Sequence, residues 1–204
     1  MGMETTTTGL GEGRHPQPEQ TVAFLIKRSA TGDVAAFTRL VELHQRYAHA
    51  VAARFLGDEE EARDVTQEVF LKIWRHIGRI DPEQRFSTWM VRVVINACTD
   101  RIRRRRPQLP LADDIPSEDA GPDPETREIR GQFWRVVSRL SLGLPRRQRE
   151  VFVLRDLQDL DAGEVARILG ISLSAVKSNL CLARRTMRGR LQALEKRQGV
   201  GHEL

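Results

Sequence analysis

Apolar residues recur along this chain at spacings of three and four, and strict alternation is nearly absent, so the pattern predicts helices throughout. A short first helix, about Val22 to Ala30, stops at Thr31-Gly32, and Asp33 caps a second that runs to Leu56. Phe37, Leu40, Val41, Tyr47, Ala48, Val51 and Phe55 give that second helix one apolar face, and Gly57 supplies its stop. Asp58 with Glu61 forms a capping box for a third helix, Glu59 to Ile77. Two apolar stripes run along it, Ala62-Val65-Val69-Ile73 and Phe70-Trp74-Ile77. The second stripe is expected to pack against a neighbouring helix, with a protein partner as the alternative.

Asp81-Pro82 marks a loop, Ser87 is a candidate cap for a fourth helix, and Pro107 ends that helix after Arg106. Five prolines between Pro107 and Pro124 predict an extended linker. Beyond it, helices are expected from about Thr126 to Leu142 and from Pro145 to about Asp156. Asp161 with Glu164 then caps a helix ending at Leu169, Gly170 permits a left-handed turn, and Ser172 caps the next helix. Val165, Ile168, Leu169 and Ile171 can pack against Val176, Leu180, Ala183 and Met187. This leaves Ser174, Lys177, Ser178, Cys181, Arg184, Arg185 and Arg188 on the free face. Small polar groups followed by cations suit a recognition helix in the major groove, and a helical hairpin with a solvated basic face is the bland alternative.

The fold class is therefore all-α: two small helical domains joined by a flexible acidic linker, the C-terminal one containing a helix-turn-helix. The expected boundaries are a disordered tail over 1–20, a first domain over 21–106, the linker over 107–125, a second domain over 126–197 and a tail over 198–204.

Charge sharpens this division. The 204 residues carry 33 Lys+Arg against 28 Asp+Glu, but segments 20–106 and 146–197 hold 16 against 11 and 12 against 6. Between them, 107–128 holds seven acids against the single Arg127. Two basic blocks around an acidic spacer suit two nucleic-acid contacts held apart. Arg101 and Arg103 to Arg106 offer a dense row of phosphate partners. Two separated cysteines, Cys98 and Cys181, support neither a disulfide framework nor a zinc site. The five histidines form no metal-spaced set and no phosphate-cradling loop is present, so no cofactor, metal or catalytic residue is expected. Without a long apolar run or a signal-like start, the expected location is cytoplasmic, with no membrane insertion.

The residues Asp64-Val-Thr-Gln-Glu-Val-Phe-Leu-Lys-Ile-Trp-Arg75, then Phe86-Ser-Thr-Trp89 with Arg92, Asn96 and Asp100, resemble region 2 of extracytoplasmic-function sigma factors. Leu144-Pro145 through Arg188, with Arg149, Leu154-Arg155, Glu164-Val-Ala166, Leu169-Gly-Ile-Ser172 and Val176-Lys-Ser178, is similar to region 4 of that family. The resemblance implies a dissociable, non-enzymatic subunit that directs core RNA polymerase to promoter DNA and is commonly silenced by an anti-sigma factor.

Carried over residue by residue, it implies that Asp64, Gln67, Glu68, Leu71, Lys72 and Trp74 dock on core polymerase. Ile80, Arg85, Trp89, Arg92, Asn96, Arg101, Arg103 and Arg104 would bind the single-stranded −10 element, with Asn96 facing an extruded base. Arg155 and the free face of the last helix would bind the duplex −35 element. Trp89 and Phe86 could instead be core, and Asn96 could join a surface network with Arg92 and Asp100. The linker could imitate RNA in the polymerase exit path or serve only as a tether. Asn179, Cys181 and Leu182 depart from the basic or aromatic residues usual in relatives, so base preference does not transfer. The alternative outside the family is a stand-alone helix-turn-helix regulator with an N-terminal sensing or dimerisation domain.

Overall fold

The computed structural model describes residues 18–81, 85–104 and 124–199. Most of the tail, the linker 107–123, Arg105 and Arg106 of the arginine run and the last five residues lie outside the described residues. Every regular element among the described residues is helical: α1 Pro18–Ala30, α2 Val34–Leu56, α3 Glu59–His76, a 3-10 turn Ile77–Arg79, and α4 Phe86–Arg104. There follow α5 Pro124–Ser141, α6 Arg146–Phe152, a π-helical turn Val153–Leu157, α7 Ala162–Leu169 and α8 Leu173–Gly199. None of these helices alone is long and apolar enough to cross a membrane.

The helix starts follow from local chemistry. Asp33, Asp58 and Asp161 each sit in extended backbone and accept a hydrogen bond from the N–H three residues on, at 3.0, 2.9 and 2.8 Å. Each satisfies a donor that the first helical turn leaves without a partner. Gly57 and Gly170 close α2 and α7 with φ of 67° and 64°, the left-handed conformation that a Cβ penalises. Ser172 accepts from the Ala175 N–H at 3.1 Å and so opens α8.

Two expectations fail locally. Ser87 does not cap α4, because the helix already includes Phe86, which is buried 4.9 Å from the His44 ring; burial of that aromatic sets the start. The helix expected from Pro145 to about Asp156 is two pieces, α6 and a π-helical turn. There the Gln158 N–H reaches the Val153 carbonyl five residues back, and the extra residue rotates Arg155 and Asp156 relative to a regular helix.

Helices α1 to α4 form the first bundle around Leu40, Val51, Phe55, Val65, Ile73, Met90 and Val94, all at most 1% exposed. Burial of each such side chain contributes about 1.5–3 kcal/mol. Both apolar stripes of α3 are consumed here: Phe70 and Ile77 are buried, and Trp74 packs on Phe37 with ring centroids 4.8 Å apart. The second bundle, α5 to α8, closes on Val151, Leu154, Val165, Ile168, Val176 and Ala183. Arg190 of α8 donates to the carbonyls of Leu140 and Gly143 at 2.6 and 2.8 Å, tying the long helix to the α5–α6 corner.

The Asp161 cap makes the helix-turn-helix acid-sensitive. Its hydrogen bond from the Glu164 N–H holds the carboxyl below its ordinary value of 3.8. A depressed carboxylate stabilises the fold fully above the unfolded value, and that contribution is lost as pH falls through the folded value. Asp161→Asn keeps the cap without the titration. The variant is expected to lose less thermal stability than the parent between pH 6 and pH 3 in circular-dichroism melts, and identical acid slopes would refute this origin.

Candidate nucleic-acid interface

Helix α8 packs on α6 and α7, with Val176, Ala183 and Met187 buried and Leu180 half-buried. The opposite strip, Ser174, Lys177, Ser178, Cys181, Arg184, Arg185 and Arg188, is exposed at every position. Within it the Ser174 and Ser172 hydroxyls lie 2.9 Å apart, and Arg184 makes a two-pronged contact with Asp156. Lys177, Arg185 and Arg188 have no side-chain partner among the described residues. Hydroxyls at the helix start and cations further along match what a groove offers, base edges within and phosphates on its rim. Arg155 is placed differently from its expected role. It is half-buried, and its guanidinium donates to the Leu160 carbonyl inside the turn that precedes α7.

On α4, Trp89, Arg92, Asn96, Asp100 and Arg103 follow one another at spacings of three and four, so they share a face. Asn96 is exposed and has no hydrogen-bond partner among the described residues, so it joins no network with Arg92 and Asp100. Asp100 pairs instead with Arg103 at 3.3 Å. Trp89 is half-buried, its ring 6.0 Å from that of the buried Phe86. Ile80 packs half-buried on the core, and Arg85, Arg103 and Arg104 are exposed. Arg101 points elsewhere. It bridges to Glu68 at 2.8 Å and Asp64 at 3.8 Å on α3, so the structure joins it to the acids expected to meet polymerase.

Asp64, Gln67, Glu68, Leu71 and Lys72 form a continuous exposed surface on α3. Gln67 and Leu71 line a groove of about 590 Å³ between α2 and α3, whose floor is Phe37, Val41 and Phe70. Trp74 borders this surface, half-buried.

The two bundles meet in a polar seam that periodicity did not reveal. Arg92 donates from Nε to the Ile168 carbonyl at 2.7 Å and from Nη2 to the Arg167 carbonyl at 2.6 Å, capping the C-terminus of α7. Arg54 lies over the Trp134 ring and donates to the Leu157 carbonyl, while Gln158 donates to the Ala50 carbonyl at 3.0 Å. Gly57 approaches α5 so closely that a Cβ would stand 3.2 Å from the Arg139 backbone nitrogen. Arg149, only 4% exposed, stacks on Phe55 at 4.9 Å, and burial lowers its pKa. Cys98 is buried as well, and burial pushes its thiol up to about 12, so it carries almost no thiolate at neutral pH.

Family models describe the same two modules. "Sigma-70 region 2" matches residues 40–108 and "Sigma-70, region 4" matches 135–187. Among curated proteins, the chain is 34% identical over 174 residues to the ECF RNA polymerase sigma factor SigM of Mycobacterium tuberculosis, covering 84% of each chain. It is 28% identical over 186 residues to the ECF RNA polymerase sigma factor SigW of Bacillus subtilis, covering 86% of this chain and all of that one. Among solved structures, CnrH in complex with the cytosolic domain of CnrY matches with a TM-score of 0.63 at 28% identity, over 85% of this chain and 98% of that one.

Proposed function

The chain belongs to the extracytoplasmic-function group of the sigma-70 family, and on that premise we propose how its residues divide the work of promoter recognition. The protein is a sigma factor: it binds core RNA polymerase and directs promoter-specific initiation, region 2 opening and reading the −10 element and region 4 reading the −35 element. An anti-sigma factor is its third class of partner; among solved structures of this fold, the sigma factor RpoE of Bartonella quintana is in complex with the anti-sigma factor NepR. This work takes place on polymerase, hence in the cytoplasm, and the protein contributes binding energy and positioning while the chemistry belongs to polymerase.

The reading of individual residues rests on one observation, the pairing in a single chain of the α8 strip with the Trp89–Arg103 face of α4. Region 4, residues 126–197, lays α8 in the major groove, where Ser174, Lys177, Ser178 and Cys181 meet base edges and Arg184, Arg185 and Arg188 meet phosphates. Arg155 supports this surface from behind by fixing the turn before α7. In region 2, residues 21–106, Asn96 offers both a donor and an acceptor to an extruded base, with Trp89 beside it and Arg85, Arg92, Arg103 and Arg104 on phosphates. Asp64, Gln67, Glu68, Leu71 and Lys72 dock on core polymerase around the α2–α3 groove, with Arg101 orienting the two acids.

The described arrangement is closed, and the promoter-bound one is open. Elements 25 positions apart lie about 85 Å apart along B-form DNA at about 3.4 Å per base pair. A compact chain of this length has a radius of gyration of only about 17 Å. The seam at Arg92 and Arg149 must therefore part before both elements are held.

Run-off transcription tests the reading. With purified core polymerase the protein should initiate from promoters selected out of randomised DNA, and Leu71→Glu should weaken core binding by about 10–100-fold by placing a charge against an apolar contact. Sequence-specific binding to duplex DNA without any core-dependent initiation would favour a stand-alone regulator.

A further inference from the structure

We propose that Asp156 is a positioning residue for −35 recognition, holding the Arg184 guanidinium in one orientation on the DNA-facing side of α8. This rests on the region 4 reading above. Arg184 Nε donates to Asp156 Oδ2 at 2.9 Å and Nη2 to Oδ1 at 2.6 Å, so two parallel bonds fix the plane of the fork. Of the four cations on the strip, Arg184 alone has a side-chain partner among the described residues. Its side chain remains 54% exposed while that of Asp156 is 20% exposed. The contact uses two of five N–H donors and leaves three for DNA.

The carboxylate reaches Arg184 because of the π-helical turn. Asp156 lies in Val153–Leu157, whose Val153, Leu154 and Leu157 are buried, and Arg155 ties that turn to the Leu160 carbonyl three residues beyond its end, contacts that persist when the seam parts. The short carboxylate side chain on this turn has fewer rotamers than the arginine it holds.

A free arginine on a groove rim contributes charge, which every sequence receives equally. An arginine whose plane is fixed before DNA arrives has already lost its rotamer freedom, and its remaining donors suit one arrangement of acceptors. Near DNA the carboxylate also repels phosphate, so its presence lowers general affinity. Asp156 therefore exchanges affinity for discrimination.

The test uses holoenzyme assembled from the full chain and core polymerase, on a promoter it has selected from randomised DNA and on the same promoter with the −35 element scrambled. Asp156→Asn is expected to lower the ratio of the two affinities by about 5–10-fold, without reducing the slope of log affinity against log salt. Arg184→Lys, which keeps charge but loses the fork, should do the same. Arg184→Ala should lower the ratio equally and reduce the slope by about 0.9, the value for one phosphate contact. The double variant Asp156→Asn with Arg184→Ala should match Arg184→Ala alone.

An Asp156→Asn variant that retains the parental ratio overturns the positioning role, as does one that weakens both DNAs equally, the signature of a purely structural tie. Multiplicative losses in the double variant overturn it too. A parent holoenzyme indifferent to scrambling would remove the −35 reading and the proposal together, which separates that failure from the others.

Discussion

Arg149→Ala is expected to lower the unfolding free energy by about 2–4 kcal/mol, the loss of a buried side chain together with a desolvated cation–π contact. Among the described residues, Arg149 is the one cation buried across the seam. Its guanidinium lies 4.9 Å from the Phe55 ring, and Nη1 donates to the Leu142 carbonyl at 3.1 Å. Truncation removes the stem that packs on α2 as well as the charge. The neighbouring Glu150, 1% exposed, keeps its own partners, Arg146 at 2.7 Å and Arg147 at 2.9 Å, so the loss reports on the seam and not on an orphaned carboxylate. At about 2–4 °C per kcal/mol for a chain of this size, the melting midpoint should fall by about 5–15 °C. Arg149→Met, which keeps most of the volume, should cost under about 1.5 kcal/mol. An alanine variant that melts like the parent would show that Arg149 does not hold the seam.

Asn96→Ala is expected to slow promoter opening by about 10–100-fold, the equivalent of about 1–3 kcal/mol for a two-point contact between an amide and a base. Unstacking a base costs a few kcal/mol, so losing the group that receives it is felt at the opening step. Binding to closed duplex should stay within two-fold, since Asn96 is far in sequence from the α8 strip and makes no contact that the fold depends on among the described residues. Stopped-flow fluorescence of a base analogue in the −10 element separates the two steps. Equal losses in duplex binding and opening would assign Asn96 to general affinity.

The caps and stops of the helices were legible because their determinants are local. Asp58 and Asp161 accept from the backbone N–H groups of Glu61 and Glu164, and Gly57 and Gly170 take the left-handed turn, each within four residues of its partner. The apolar face of α2 and the packing of α7 on α8 were legible for the same reason. The seam was not. Arg92 and Ile168 are 76 positions apart, and nothing in either helix announces the other. Arg149 misleads in a further way: a charged residue three positions before Phe152 reads as solvated, although it lies on the buried side of α6. The π-helical turn escaped because hydrophobic spacing tolerates one extra residue, and that residue is what turns Asp156 toward Arg184. Arg101 was grouped with the arginine run by sequence proximity, but helical rotation turns it toward α3.

Helix α8 has 27 residues, hence a length of about 40 Å at about 1.5 Å per residue. The major groove is only about 12 Å wide, so one helix cannot be read by bases along its whole length. Its exposed strip ends at Arg188, and at Arg190 the side chain turns inward to grip Leu140 and Gly143. The helix is therefore two devices on one axis, a reading head and a mounting bracket. Transplanting 173–188 between relatives should carry DNA preference with it, while exchanging 189–199 should alter only how firmly the head is mounted.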